Sequence, residues 1–312
     1  MDNKKYDWQH DCDYVNGYIL FNLNKLETTW GNGTYKKIAD RTYILTWQDT
    51  KHILTFNEDF TRFKSVRQHD LHVSSGKIKL NGMKTVFDDI LIGWEDFHDN
   101  QLLRCKTHKQ YEGDLLLNMP INSSFLDIGS HFGDTILTMA LYAKNNKRDD
   151  IRFFSFEPNI TKFEHIQKIN KMNNLNIICY NCCVGNINGK GEPDGTVNPI
   201  FGSCSYKVNN NGNTNIIQLN DIYKVISPVG LMHIDTEGWE TKVIQGSSKI
   251  FENVDNQFHV IAECWSNEIS IMRGFSEDPE KDIITEMKKY NSIRLNDMVD
   301  EDRNLVFKVN YN

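Results

Sequence analysis

The chain has 312 residues, 39% of them hydrophobic and 25% charged, the balance of an ordinary globular protein with room for about two domains. Lys and Arg number 35 against 42 Asp and Glu, a net charge of −7, which argues against non-specific nucleic-acid binding through a basic surface. No run of about 18 apolar residues is present, and Met1-Asp2-Asn3-Lys4-Lys5 leads into no apolar signal segment, so a cytoplasmic protein with no membrane partner is the expectation.

Residues 1–80 read as a β-rich module. Strand patterns fall at 17–21, 34–38, 43–47 and 52–56, separated by the turn segments Trp30-Gly31-Asn32-Gly33 and Gln48-Asp49-Thr50-Lys51. Tyr43, Leu45 and Trp47 alternate with Ile44 and Thr46, the period of a half-buried strand. Short strands about ten residues apart predict a small antiparallel sheet or barrel, closed by Phe60 and Phe63. Trp8, Trp30, Tyr35, Tyr43 and Trp47 have two uses open to them: exposed faces that stack on a sugar or glycan, or the packed core of a module with few other large residues. The packed core is the simpler of the two.

Residues 81–120 read as a connecting region, in which 94–99 would either cap a substrate cleft or form a solvated linker. From 121 onward strands and helices alternate, the pattern of a mainly parallel α/β sheet. Strands are expected at 124–128, 151–156, 176–180, 232–235 and 257–263, with a closing antiparallel pair at 292–295 and 305–309. Helices are expected at 134–145 and 160–172. Another follows the fourth strand with Trp239, Val243, Gly246 and Ile250 on one face, and a last one, capped by Ser276 with Pro279 in its first turn, runs to about residue 290. The Gly- and Asn-rich stretch 185–217 reads as a long loop with two uses open to it: a mobile cover over the substrate, or a disordered stretch with no role. Seven cysteines include Cys179-x-x-Cys182, but no second pair follows at zinc-finger spacing, so reduced cysteines near a core strand are expected.

The chemistry concentrates where strands end. Ser124-Phe125-Leu126-Asp127-Ile128-Gly129-Ser130-His131-Phe132-Gly133-Asp134-Thr135 is an apolar run, a turn with two glycines and a helix start, the geometry that presents backbone N–H groups to a ligand. The spacing is not G-x-G-x-x-G: His131 stands where a middle glycine would be, which disfavours an NAD site. One crossover later the second strand ends in Glu157-Pro158, where a carboxylate would hold the two ribose hydroxyls of an adenosine.

The third block is His233-Ile234-Asp235-Thr236-Glu237-Gly238-Trp239-Glu240. Together with Leu126-Asp127-Ile128-Gly129-Ser130-His131-Phe132-Gly133 and Phe156-Glu157-Pro158-Asn159, it resembles the FkbM family of S-adenosylmethionine-dependent O-methyltransferases, over roughly residues 105–312. His233 replaces that family's usual lysine, and Ser130-His131 its usual Ala-Asn. The resemblance implies a Rossmann-like, seven-stranded methyltransferase sheet at 121–312, with S-adenosylmethionine (SAM) as cofactor and a sugar or glycan hydroxyl as acceptor. Asp127, Gly129, Ser130, His131, Gly133, Thr135, Glu157 and Pro158 would form the cofactor side. Asp235, Glu237, Glu263 and His233 would face the acceptor, as general bases or, for Asp235 and Glu263, as ligands of Mg²⁺. Glu240 also has a purely structural use in a helix's first turn. The alternative from another class is a non-catalytic glycan-binding protein with an inactive methyltransferase-like domain. The N-terminal module resembles leading segments of carbohydrate-modifying proteins of large DNA viruses, which would place the protein in a host cytoplasm.

Overall fold

The computed structural model describes residues 4–9, 17–22, 25–57, 60, 62–70, 73–78, 82–84, 87, 90–92, 109–194, 205–295 and 304–310. The expected cap at 94–99, residues 195–204 of the expected loop, and Cys12, Cys105 and Cys204 lie outside them. The chain divides into two compact units, Met1–Asn81 and Gly82–Asn312.

In the first unit eight strands follow one another: β1 (Lys4–Gln9), β2 (Gly17–Asn22), β3 (Lys25–Thr28), β4 (Gly31–Ala39), β5 (Thr42–Trp47), β6 (Thr50–Phe56), β7 (Arg62–Arg67) and β8 (Val73–Ile78). Each pairs antiparallel with the next, and β1 pairs with β8, so the sheet closes into a barrel without free edges. Strand alternation sends Tyr43, Leu45 and Trp47 inward from β5. They meet Tyr6, Trp8, Ile19, Phe21, Leu26, Leu54, Phe56 and Phe63 in one core. Trp8 and Trp47 meet edge to face at 5.7 Å, and Trp47 stacks on His52 at 4.5 Å. An eight-stranded barrel is just wide enough for side chains to fill, and here large rings fill it. Trp8, Tyr43 and Trp47 are therefore packing residues and offer no exposed face for a sugar.

The second unit begins with a two-stranded antiparallel sheet, β9 (Gly82–Lys84) and β10 (Ile90–Ile92). It continues through α1 (Lys109–Leu117), β11 (Ser124–Ile128), α2 (Asp134–Asn145), β12 (Arg152–Phe156), α3 (Ile160–Asn173) and β13 (Ile177–Tyr180). Next come β14 (Cys182–Val184), β15 (Gly189–Asp194), β16 (Ser205–Val208), β17 (Thr214–Ile217) and α4 (Tyr223–Ile226). The remainder is β18 (Val229–Ile234), α5 (Glu240–Gln245), α6 (Ser248–Phe251), β19 (Phe258–Glu263), α7 (Asn267–Met272), α8 (Pro279–Met287), β20 (Ser292–Arg294) and β21 (Asn304–Val309).

The main sheet has seven strands in the order β13-β12-β11-β18-β19-β21-β20. The first five run parallel, and β21 lies antiparallel to both β19 and β20. This is the Rossmann-like order expected for a methyltransferase sheet. The strand order reverses between β11 and β18, which opens a crevice beyond their carboxyl ends. Burial on both faces explains the continuous apolar runs: Leu126, Ile128, Phe154, Phe156, Met232 and Ile234 pack on one side, Phe125, Phe153 and Leu231 on the other. Asp127 and His233 continue the second of these alternations, two residues beyond Phe125 and Leu231, and leave it for the crevice.

Three expectations need correction. The stretch 185–217 is not a loop throughout: β14, β17, β15 and β16 form a second sheet in that order. Its apolar side chains are sparse, which hides the strands, but Tyr206 and Ile216 pack with Cys183 and Trp239. The helix after β18 is two short ones, because Gly246 lies against the chain at Gly185 so closely that a Cβ there would overlap the Gly185 carbonyl. The last helix is capped by Asp278, whose carboxylate accepts from Lys281 N at 3.1 Å, and not by Ser276.

Candidate active site

A cavity of about 370 Å³ opens at the crevice. All the predicted site residues line it except Gly133, which sits behind the turn and caps α2 at φ 88°. Gly129 also takes φ 88°, a conformation that excludes most side chains. Its amide and that of Ser130 donate to the Phe156 carbonyl, and Ser130 Oγ donates to the Asp127 carbonyl at 2.9 Å while accepting from Ser155 Oγ at 2.8 Å. The turn after β11 is thus pinned to β12 before any ligand arrives.

Glu157 completes that join. Its two carboxylate oxygens accept from His131 N at 2.7 Å and Asn159 N at 2.8 Å. His131 reaches this position only by adopting φ 52°. Asn181 Nδ2 donates to the carbonyls of Glu157 and Pro158 and fastens the strand end. Burial pushes Glu157 up to about 7, against the opposing pull of Lys162 and the two amides. A carboxylate has about four acceptor positions, so two remain for other donors.

Asp127 and His233 are neighbours in the β11–β18 register. Asp127 Oδ1 and His233 Nδ1 lie 2.9 Å apart. Burial opposes charge on His233, but the hydrogen bond and charge of Asp127, helped by Glu112 and Asp235, outweigh it and raise the ring to about 9. At neutral pH it is an imidazolium. Asp127 Oδ2 is buried without a hydrogen-bond partner.

Across the switch point, Asp235 and Glu263 share a hydrogen bond; burial, then the charge and hydrogen bond of Asp235, hold Glu263 well above the usual carboxylate range. Glu263 Oε2 is buried without a hydrogen-bond partner. Glu237 is not part of this pair: it takes φ 56° and binds Arg273 Nη1 at 3.1 Å. The brace for the following turn is Glu240, whose Oε1 accepts from Thr236 N, Thr236 Oγ1 and Gly238 N. Burial first of all raises it to about 7.

Asp134 is a lining residue that motif reasoning passed over. Burial and then the charge of Asp127 push it up to about 7. Its signal was an acid in the first helical position, which is ordinarily explained by the helix dipole alone. Trp265, two residues past Glu263, was legible as an aromatic at a strand end. Tyr206, from β16, and Arg273, at the end of α7, carried no motif; the Arg273 guanidinium lies over the Trp265 ring at 4.6 Å. Among the described residues, no group of three or more His, Cys, Asp or Glu side chains is placed to hold a metal ion.

No family model matches the chain, and no curated protein matches it. Solved structures to which it is similar include methyltransferase FkbM from Methylobacillus flagellatus, at 13% identity and a TM-score of 0.38, covering 60% of this chain and 44% of that one. An O-methyltransferase from Bacillus cereus in complex with S-adenosylhomocysteine (SAH) is 12% identical with a TM-score of 0.39, covering 68% and 83%. A geranyl diphosphate C-methyltransferase from Streptomyces coelicolor in complex with Mg²⁺, geranyl diphosphate and SAH is 9% identical with a TM-score of 0.39, covering 73% and 88%. The chain therefore spans less than half the length of the Methylobacillus structure. No helix among the described residues is long and apolar enough to cross a membrane.

Proposed function

We propose that the chain is a SAM-dependent O-methyltransferase of FkbM type and that its acceptor is a hydroxyl of a sugar or glycan. The observation that carries this reading is one cavity with two chemically different walls. On the β11–β12 side, a glycine turn fixed by backbone hydrogen bonds meets Glu157, a buried acid with acceptor capacity left for a ribose. On the β18–β19 side stands the Asp235–Glu263 pair.

The first wall fits SAM by its donor set. Glu157 would hold the ribose hydroxyls, and the turn at Gly129–His131 would lie along the nucleoside with Pro158 beside it. SAM, when bound, supplies a methyl group on a positively charged sulfur. The chain's own work is to orient the acceptor and take its proton. Asp235, beside Glu263, is the acceptor-side base, worth about 10²–10⁴ in rate.

The rival reading, a glycan-binding protein whose N-terminal module does the work, needed exposed rings in the barrel. Three of its five candidate rings are buried. Calorimetric titration with SAM, SAH and NAD tests the proposal: SAH and SAM bind with a measurable heat and NAD does not. Binding of NAD alone would overturn it.

A further inference from the structure

A second cavity, of about 300 Å³, lies beside the first and has no part in the chemistry described so far. Trp265 lines both. The turn after β18 also serves both: Asp235, Thr236 and Glu237 line the first, Gly238 and Glu240 the second. Two aromatic rings, Trp265 and Phe275, wall the second cavity and meet edge to face at 5.6 Å. Thr241, Lys242 and Asp282 stand around them. The Lys242 ammonium rests over the Trp239 ring at 4.0 Å, half-buried. Neither it nor the Thr241 hydroxyl has a hydrogen-bond or ion-pair partner among the described residues. Asp282 and Glu240 set carboxyls against the ammonium, so the cavity is not built for an anion. Aromatic walls with unspent donors and nearby acceptors suit a polyhydroxylated ring, whose apolar face packs on aromatics and whose hydroxyls both donate and accept.

Size and charge limit what the first cavity can take. Its volume of about 370 Å³ is near the low end of the ~300–1,000 Å³ of small-molecule sites, and SAM would fill its β11–β12 side. Little more than the methylated ring fits beside the cofactor. On the acceptor side Asp235, Glu237 and Glu263 are acids, and the cation among them, Arg273, is paired with Glu237 at 3.1 Å. An acceptor carrying a nucleoside diphosphate would bring negative charge to a wall that repels it. We propose that the acceptor is a neutral glycan of at least two residues, its methylated ring in the first cavity and the neighbouring ring in the second, with Trp265 between them. This deepens the O-methyltransferase reading and rests on it. Lys242 and Thr241 donate to hydroxyl oxygens of the neighbouring ring, Asp282 accepts from its hydroxyls, and Phe275 and Trp265 pack on its apolar face. These residues hold the chain and take no part in methyl transfer. A glycosyl transfer that releases the nucleoside diphosphate must therefore come first and supply the chain that is methylated.

The test compares three forms of each of a panel of neutral sugars. These are the methyl glycoside, the disaccharide that carries the same sugar at its non-reducing end, and the nucleoside-diphosphate sugar. Initial rates of methyl transfer from labelled SAM are measured on the full chain. The disaccharide of the preferred sugar should exceed its methyl glycoside by about tenfold or more in kcat/KM, and the nucleoside-diphosphate form should fall below both. Lys242→Met keeps the stem and removes the donors. It should raise the disaccharide KM about tenfold with kcat held within about twofold, and move the methyl glycoside KM by less than about twofold. A merely structural loss would move both substrates together. Equal kcat/KM for glycoside and disaccharide, preference for the nucleoside-diphosphate sugar, or equal KM changes for both neutral forms in Lys242→Met, no change included, would each overturn the inference. Should Lys242→Met fail to fold, the wild-type ratios still decide. Transfer to no member of the panel by a protein that binds SAH would overturn the sugar-acceptor reading itself, an outcome distinct from these.

Discussion

Gly129 lies against the carbonyl of Asp235, so that a Cβ built on Gly129 would overlap that oxygen. The turn after β11 and the end of β18 are therefore in backbone contact, and the two walls of the cavity are held at a fixed separation. Gly129→Ala must move one of them and must also hold φ near 88°, which costs an L-residue about 1–2 kcal/mol before any overlap is counted. The expected outcome is a Tm lower by several degrees and SAH affinity weakened beyond what the stability loss explains. A Gly129→Ala protein with wild-type melting and wild-type SAH binding would mean that the walls move freely.

A second prediction concerns pH and comes from His233. Its folded-state value near 9 lies above the ordinary 6.5, so the folded chain binds more protons than the unfolded one between these limits. The stabilisation is fully present below about 6.5 and is lost as pH rises through about 9. Asp127 on β11, Glu112 on α1, Asp134 on α2 and Asp235 after β18 are the charged groups around the ring, and all are acids. Glu157, Asp134 and Glu240, each raised to about 7, add losses in the same direction that are complete only about one unit above that pH. Denaturant unfolding at pH 6.5 and 9.5 should differ by at least about 3 kcal/mol, the share of His233 alone, and His233→Lys should remove most of the difference above about pH 8. A flat profile in the wild type would contradict the paired imidazolium.

Much of this fold could be read from residues 121–312 because a parallel sheet buries both faces and its strands are unbroken apolar runs. Phe125-Leu126 and Phe153-Phe154 gave their strands away in this manner. The second sheet was hidden because its strands are short and polar: β15 reads Gly189-Lys190-Gly191-Glu192-Pro193-Asp194, with Gly191 alone buried. Within the site, the residue types at strand ends were legible, but their partners were not. Nothing in sequence spacing says that His233 spends Nδ1 on Asp127, since the two are 106 residues apart and meet only through strand order. Likewise Glu240 was read as a helix-dipole residue, and its actual work, turning back onto Thr236 and Gly238, depends on the backbone path between them.

Glu157 yields a prediction about ligand-linked proton release. In the free protein burial holds it near 7, so at neutral pH about half the molecules carry it protonated. Ribose hydroxyls donate hydrogen bonds and favour the ionised form. SAH affinity should therefore rise with pH from about 6 to 8, and binding at pH 6.5 should release a fraction of a proton, seen as a heat that varies with buffer ionisation enthalpy. Glu157→Ala should abolish the release and weaken SAH by about 1.5–3 kcal/mol for each hydrogen bond lost. Unchanged SAH affinity in that variant would remove Glu157 from the ribose site.

The acid pair gives the last prediction, because its two members should respond differently to the same change. Burial and the charge of Asp235 hold Glu263 well above the usual carboxylate range, which assigns it the donor's part toward Asp235 in the proposed mechanism. Glu263→Gln keeps a donor in that place, so methyl transfer from labelled SAM to a glycan acceptor should survive within about tenfold. Asp235→Asn keeps size and hydrogen bonding but removes the charge that takes the proton. It should reduce turnover by about 10²–10⁴ while SAH affinity stays within a few tenths of a kcal/mol, since the proposed cofactor contacts lie on the other wall. Removing that charge takes away one upward push on Glu263, so its pKa should fall in Asp235→Asn while burial, the largest cause, still holds it above the ordinary carboxylate range, readable by NMR titration of the labelled carboxyl. The opposite pattern, with Glu263→Gln inactive and Asp235→Asn active, would make Glu263 the base and place the proton on Asp235. Full activity in both variants would leave the pair a structural bridge between β18 and β19, and the acceptor's proton would have to leave by another group.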